Sequence, residues 1–451
     1  MTYLIKPHLH RTYPTVRSAK GIYVYDTDGK KYLDGCSGAV TANLGHGVQE
    51  IIMAMNKQAE QVAFVYRSQF TSEVAEKLAE ALNKQIGYST YWTFLVNSGS
   101  EATETAMKIA IQYWQEQGRK GKNKILSRWL SYHGITIGAL SLSGHPMRRA
   151  RFVPLLEDFP TVSPPYCFRC PYGLTYPSCQ WRCADELETA IIRTGAEHIA
   201  AFIAEPIIGA AGAAITPPDG YYERIYDICR RYDILFIADE VMTGLGRTGK
   251  IMGLDHWNVQ ADIIALGKGL GAGYTPIAAT LASQRVMEPI INGSGVIMSG
   301  HTLSANPLSA SVALAVLKYI EQHHLVQRAH EIGTYLFMKL RNLQKQFAWI
   351  GDVRGKGLLL GIEFVVAGKE MVPSDLAFTD LVVTVAQQNG LLVYPAAAGN
   401  GKDGAAIIIA PPLTIERSQV DELIDLLEQT FREVQRRCPV ILKRNDDNGS
   451  K

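Results

Sequence analysis

Leu266-Gly267-Lys268-Gly269-Leu270-Gly271-Ala272-Gly273 directly follows the apolar run Ile263-Ile264-Ala265-Leu266. A short continuous apolar run reads as a strand buried on both faces, and the glycines behind it read as the turn leaving that strand. A lone lysine in such a turn has room around it, and burial lowers an amine's pKa toward a nucleophilic state. The alternative is a flexible surface turn with a solvated lysine. The segments on either side decide between the two.

Two other clusters follow apolar runs in the same way. Tyr91-Trp92-Thr93-Phe94-Leu95-Val96 reads as a strand, and Asn97-Ser98-Gly99-Ser100-Glu101-Ala102 leads into a helical pattern from Ser100 to Gln117. Glycine lets a backbone approach an anion. The hydroxyls and free N–H groups of a first helical turn cradle that anion, and the helix dipole adds about 0.3–1 kcal/mol. A plain N-cap uses the same residue types. The third cluster is Asp239-Glu240-Val241, at the end of the run Ile234-Leu235-Phe236-Ile237-Ala238. An acid on a strand tip can face a cleft, where burial demands a cationic partner. A loop acid or helix cap is the plainer reading. In chain order the three clusters supply an anion cradle, a cleft acid and a nucleophilic lysine. Pyridoxal phosphate asks for all three, with its phosphate, its protonated ring nitrogen and its aldehyde.

Further out, Ile125-Leu126-Ser127, Ile199 to Ala204 and Ile277 to Leu281 are also short apolar runs, and Tyr221 to Tyr232 carries helical periodicity. Alternation of this kind implies an α/β fold with a mostly parallel sheet and right-handed crossovers. Gly21 to Tyr25 and Lys30 to Leu33 flank Asp26-Thr27-Asp28-Gly29 and read as a β-hairpin. Val48 to Leu82 is helical in two pieces, and a long helical pattern runs from about Ser304 past His324. After Gly351 the texture becomes short strands: Gly357 to Phe364, Leu391 to Tyr394 and Ile407 to Ile409. A helix from Ser418 to Arg436 follows, and the polar tail Arg444 to Lys451 is expected to fray.

The bulk composition narrows the class. A chain of 451 residues needs two or three packed lobes. Its net charge of +2 gives no electrostatic reason to bind nucleic acid or a membrane surface. Met1 to His8 has no apolar core of a signal peptide, and no apolar run approaches the roughly 18 residues that span a bilayer. The expected address is the cytoplasm. Seven cysteines, four of them in one short stretch, do not make a disulfide scaffold in a chain this long.

Over nearly its whole length the sequence resembles the class III, or omega, aminotransferases. The matching segments are Asn97 to Ala102, Ser131-Tyr132-His133-Gly134, Glu205-Pro206-Ile207-Ile208-Gly209, and Asp239 to Gly249 with Gly244-Leu245-Gly246-Arg247-Thr248-Gly249. Ala265 to Gly273, His301-Thr302-Leu303-Ser304-Ala305-Asn306-Pro307 and Ala410-Pro411-Pro412-Leu413 complete the set. The resemblance implies the type I, aspartate-aminotransferase-like fold: a large domain with a seven-stranded sheet and a small α+β domain built from both chain ends. The implied division is 1–60, 61–325 and 326–451, the middle span being the cofactor-binding domain. By the same resemblance Lys268 holds pyridoxal 5'-phosphate as a Schiff base and carries the catalytic proton. Asp239 pairs with the pyridine nitrogen, Gly99 and Ser100 cradle the phosphate, and Tyr132 and Val241 cover the two ring faces. His133 has either a binding role or a structural one. Glu205 lies beside the substrate. Thr302 reaches the phosphate across the interface of a homodimer with shared active sites. The implied reaction passes an amino group from an amine donor, an ω- or β-amino compound, to a keto acid such as pyruvate or 2-oxoglutarate.

The sequence departs from that family in three places. Many relatives place an arginine shortly before Pro-Pro-Leu to clamp the substrate carboxylate. Tyr394 to Gly404 has none here, only Lys402, which lacks the guanidinium fork. Arg67 is a substitute candidate or, more plainly, a solvated arginine. Val40 stands where some relatives carry a bulky aromatic. One subgroup acts on β-amino acyl thioesters of coenzyme A, which a weak carboxylate clamp suits. Finally, Cys167, Cys170, Cys179 and Cys183 have a spacing that could hold a tetrahedral zinc, though a proline-rich loop with reduced or loosely paired thiols is the plainer reading, and no metal is expected. An aminomutase or decarboxylase of the same class, or a non-catalytic cofactor-binding protein, are the rival readings.

Overall fold

A computed structural model describes residues 3–439. Its centre is a seven-stranded sheet. In spatial order the strands are Tyr91–Val96, Ala278–Ser283, Ile263–Leu266, Leu235–Asp239, Ile199–Ala204, Lys124–Arg128 and Thr161–Val162. The five strands from Ile263–Leu266 to Thr161–Val162 run parallel. Ala278–Ser283 runs antiparallel to both of its neighbours. The reason lies in the connection before it. Between Leu266 and Ala278 there is only a short 3-10 turn, Lys268–Leu270, and a parallel return needs a longer crossover, usually a helix.

Every residue of Ile199–Ala204 and Leu235–Asp239 is buried, as the apolar runs require. The helix Gly99–Glu116 presses Ala106, Ile109, Ala110, Tyr113 and Trp114 onto the sheet. The helix Tyr221–Arg231 buries Tyr221, Tyr222, Ile225, Ile228 and Cys229, one stripe at helical spacing. The helical pattern after Ser304 is two helices, Pro307–Gln322 and Leu325–Gln346. They break at His324, whose backbone is left-handed, with φ +50°. The tail from Arg444 lies outside the described residues.

The small lobe is assembled from both chain ends. One four-stranded sheet has the order Ile350–Lys356, Leu359–Phe364, Ala405–Ile409, Tyr394–Ala396. A second is the N-terminal meander Val16–Lys20, Tyr23–Asp26, Lys31–Asp34, completed by Leu391–Leu392 running parallel to Lys31–Asp34. The polar strands Val16–Lys20 and Ile350–Lys356 carry no apolar run and escape the sequence reading. A buried charge cluster ties this lobe to the rest. The Glu363 carboxylate accepts from Arg354 Nη1 at 2.6 Å, from Arg169 Nε at 2.5 Å and from the Tyr166 hydroxyl. Arg354 also donates to the carbonyls of Gly212 and Ala213. Each buried charge is thereby paired and hydrogen-bonded, without which its burial would be costly. Among the described residues no helix is long and apolar enough to cross a membrane.

Candidate active site

The C-terminal ends of the parallel strands aim at one cavity of about 180 Å³. Gly99, Ser100, Tyr132, His133, Glu205, Asp239, Val241 and Lys268 all line it, joined by Gly134, Ala210 and Met242. This is where ligands bind in open α/β sheets. A larger cleft of about 690 Å³ opens among the helices Gln49–Gln61, Glu73–Ile86 and Pro307–Gln322, but it holds none of these chemical groups.

The helix behind the strand Tyr91–Val96 starts at Gly99, with Ser98 as its cap. Ser98 Oγ accepts from the Glu101 N–H at 3.2 Å, and Glu101 Oε2 accepts from the Asn97 N–H at 2.7 Å. The cap's side chains therefore satisfy the N–H groups of Glu101 and Asn97 and no others of this turn. Among the described residues the N–H groups of Gly99 and Ser100 are left without an acceptor, which is the standing requirement of an anion site at a helix start. A Cβ on Gly99 would lie 2.8 Å from Val241 Cγ1. Ser100 Oγ accepts from the Ile135 N–H at 3.0 Å.

Asp239 ends the strand Leu235–Asp239 and is almost wholly buried. Its Oδ2 lies 2.7 Å from His133 Nδ1, and its Oδ1 accepts from the Val241 N–H at 3.1 Å. His133 is thus the group that orients the acid. Glu240, the next residue, turns the other way and receives the N–H groups of Gly253 and Leu254, at 2.8 and 3.0 Å. Burial pushes its carboxyl up to about 7. The hydrogen bonds at the end of the strand thus separate the cleft acid from the structural one.

Lys268 follows the strand Ile263–Leu266 with φ +41°, and no described residue hydrogen-bonds its amine. Burial lowers its pKa; Asp239 and Glu205 pull the other way, and Arg148 adds to the lowering. Glu205 follows the strand Ile199–Ala204. Its two oxygens accept from the N–H groups of Tyr132 at 2.9 Å and Gly209 at 2.8 Å, and burial raises its pKa. Tyr132 is half-buried. The Arg148 guanidinium lies over its ring, 4.2 Å from the centroid.

The other candidates fall elsewhere. Thr302 is exposed on the surface of the single chain and does not line the cavity. Arg67 is not a solvated side chain, because Nη2 donates to the Ser299 carbonyl at 2.7 Å and the guanidinium sits over Phe94. Lys402 is exposed. Val40 is buried, with φ +57°, away from the cavity wall. Cys167, Cys170, Cys179 and Cys183 line one small cavity of about 20 Å³, but no cluster of His, Cys, Asp and Glu among the described residues is arranged to hold a metal. Cys183 belongs to the helix Arg182–Thr194 rather than to the loop. Arg148 is the neighbour the sequence reading missed. It lies in no motif, and only the fold brings it to Tyr132.

The residues suit the expected cofactor on three counts: orphan N–H groups for a phosphate, a buried carboxylate for a cationic ring nitrogen, and an uncommitted amine for an aldehyde. Comparison with known proteins agrees. The family model for aminotransferase class-III matches residues 5–431. The uncharacterized aminotransferase YodT of Bacillus subtilis (strain 168) is 55% identical over 438 residues, 96% of this chain and 98% of that one. The vanillin aminotransferase of Capsicum frutescens is 35% identical over 441 residues, 94% of this chain and 92% of its own. Among solved structures, a PLP-bound amine transaminase from an uncultivated Pseudomonas species superposes with a TM-score of 0.90 at 34% identity, covering 96% of this chain and 98% of that one. An (S)-enantioselective omega-transaminase from Thermomicrobium roseum gives 0.87 at 36%, covering 95% and 96%. The chain belongs to the class III aminotransferases, transaminases that depend on pyridoxal phosphate.

Proposed function

We propose that this chain moves an amino group from an ω- or β-amino compound to pyruvate or 2-oxoglutarate, with Lys268 as the residue that anchors the cofactor. The supporting observation is that an uncommitted, pKa-lowered amine shares one small cavity with a buried carboxylate and a helix start whose first N–H groups have no acceptor among the described residues. When bound, pyridoxal phosphate supplies an electron sink for negative charge on the substrate carbon.

The chain's own residues do the rest. The N–H groups of Gly99 and Ser100 hold the phosphate. Asp239, oriented by His133, keeps a proton on the ring nitrogen. Tyr132 and Val241 cover the ring faces and exclude water. Lys268 Nζ, its pKa lowered by burial, would take the proton from the substrate carbon and hold it for return. Glu205 lies beside the substrate while bracing Tyr132 and Gly209. Thr302 serves a second copy of the chain in a homodimer with shared sites, in the cytoplasm.

A donor panel tests the reading. β-Alanine, 4-aminobutyrate, lysine, an aromatic amine and a β-aminoacyl thioester are each added to the holoenzyme without acceptor. At least one should shift the cofactor absorbance, and pyruvate or 2-oxoglutarate should reverse the shift. Conversion of a donor to its isomer with no need for a keto acid would replace this reading with a mutase.

Gly99→Ala checks the cradle. Overpacking a filled site costs about 1–3 kcal/mol, so cofactor retention on dialysis should weaken about tenfold or more. Adding Val241→Ala opens the space and should recover part of that loss, less the ring-face cover that Val241 itself gives, because Val241 Cγ1 is the atom in the way. Unchanged retention by the single variant would move the phosphate elsewhere.

A further inference from the structure

We propose that Arg148 is the arginine that reads the substrate's carboxylate, replacing the clamp absent from the stretch Tyr394 to Gly404. The assignment rests on the transaminase reading above and names the specificity residue of that same site.

Arg148 lies in the one-turn helix Pro146–Arg149, which enters from the buried segment Ser141–His145. Its neighbour Arg149 is anchored through one nitrogen: Nη1 lies within donating reach of the carbonyls of Leu140, Ser141 and Ser143 at 3.1, 3.1 and 2.8 Å. That anchorage fixes the helix and leaves Arg148 to point independently. Arg148 is only half-buried, lies over the Tyr132 ring at 4.2 Å and has no carboxylate paired with it among the described ion pairs. Tyr132 itself lines the cavity with Lys268, and the charge of Arg148 is felt at Lys268. Arg148 also comes within hydrogen-bond reach of the Tyr132 hydroxyl, and the remaining donors of its planar fork are the kind a carboxylate binds in two places at once. The other cations offer less. Arg67 is committed to Ser299 and Phe94, and Lys402 is exposed and lacks the fork. His145, buried and edge-on to Tyr132, is held neutral, with its pKa pushed down to about 4 by burial, so it does not compete for an anion.

The experiment compares wild type with R148Q and R148K, using a β-amino acid, its neutral amide and the matching β-aminoacyl thioester. For the free acid, R148Q should raise KM about 10- to 100-fold with little change in kcat, as expected for losing hydrogen bonds to a charged group. For the amide KM should move less than threefold. R148K should recover only a minor part of the loss. A KM rise for the thioester instead of the acid would mean that Arg148 meets a phosphate of that carrier, and would overturn the carboxylate assignment. Equal losses for acid and amide would leave Arg148 only propping up Tyr132, and would overturn it too. Butyrate, which has the carboxylate but no amine, is titrated calorimetrically into the same holoenzymes. Binding at least tenfold weaker in R148Q is the expected result. Equal binding, or none to wild type, defeats the Arg148 assignment even if amino transfer proceeds. Failure of every donor to change the wild-type absorbance would count against the transaminase reading instead.

Discussion

Replacing Lys268 by alanine is expected to lower amino transfer by at least about 1,000-fold while the fold persists. Positioned proton transfer alone contributes about 10²- to 10⁴-fold, and with Lys268 as the proposed anchor the variant would also lose its covalent hold on the cofactor. The fold should survive because no described residue hydrogen-bonds the Lys268 amine, and because removing a desolvated amine relieves a cost instead of breaking a contact. Single-turnover absorbance reads the rate, and a melting curve reads the fold. Borohydride reduction of wild type followed by mass mapping should add the cofactor's mass to the peptide containing Lys268. A K268A enzyme within tenfold of wild type, or a label on another lysine, would end the assignment.

The second large effect is expected at Asp239. Asp239→Asn keeps the size and the contact with His133 but removes the charge. Taking away one preorganised electrostatic partner costs about 100- to 1,000-fold in rate. His133→Phe leaves the charge and removes only its orienting partner at 2.7 Å, so a loss nearer tenfold is expected. The two variants separate charge from orientation. If D239N and H133F lose the same amount, the pair acts as one structural unit and the carboxylate has no charge role of its own.

Much of the site was legible because the three clusters sit at strand ends, and a strand end is visible as the place where an apolar run stops. Gly99, Asp239 and Lys268 were each found that way. The likeness of Glu205 and Tyr132 to family motifs brought two more to the same wall. What remained hidden depends on distance in the fold. His133 reads from sequence as structural sooner than binding, and only its 2.7 Å contact makes it the partner of Asp239. Arg148 stands beside Arg149 in one dipeptide, and nothing local says that one is tied to three carbonyls while the other lies on Tyr132. In the fold, the antiparallel direction of Ala278–Ser283 follows from the shortness of the turn at Lys268. The strands Val16–Lys20 and Ile350–Lys356 were missed because they carry charged and glycine residues at positions where an apolar pattern would have announced them.

The pairing of Leu391–Leu392 with Lys31–Asp34 sets a timetable for the newborn chain. The first three strands of the meander leave the ribosome together, yet the fourth is made 357 residues later (391 − 34). At about 5–20 residues per second, the flank of Lys31–Asp34 stays bare for roughly 20–70 s. An unpaired strand flank is a template for foreign strands. A full-length chain refolding from denaturant already holds the missing partner, and need not carry that exposed flank for so long.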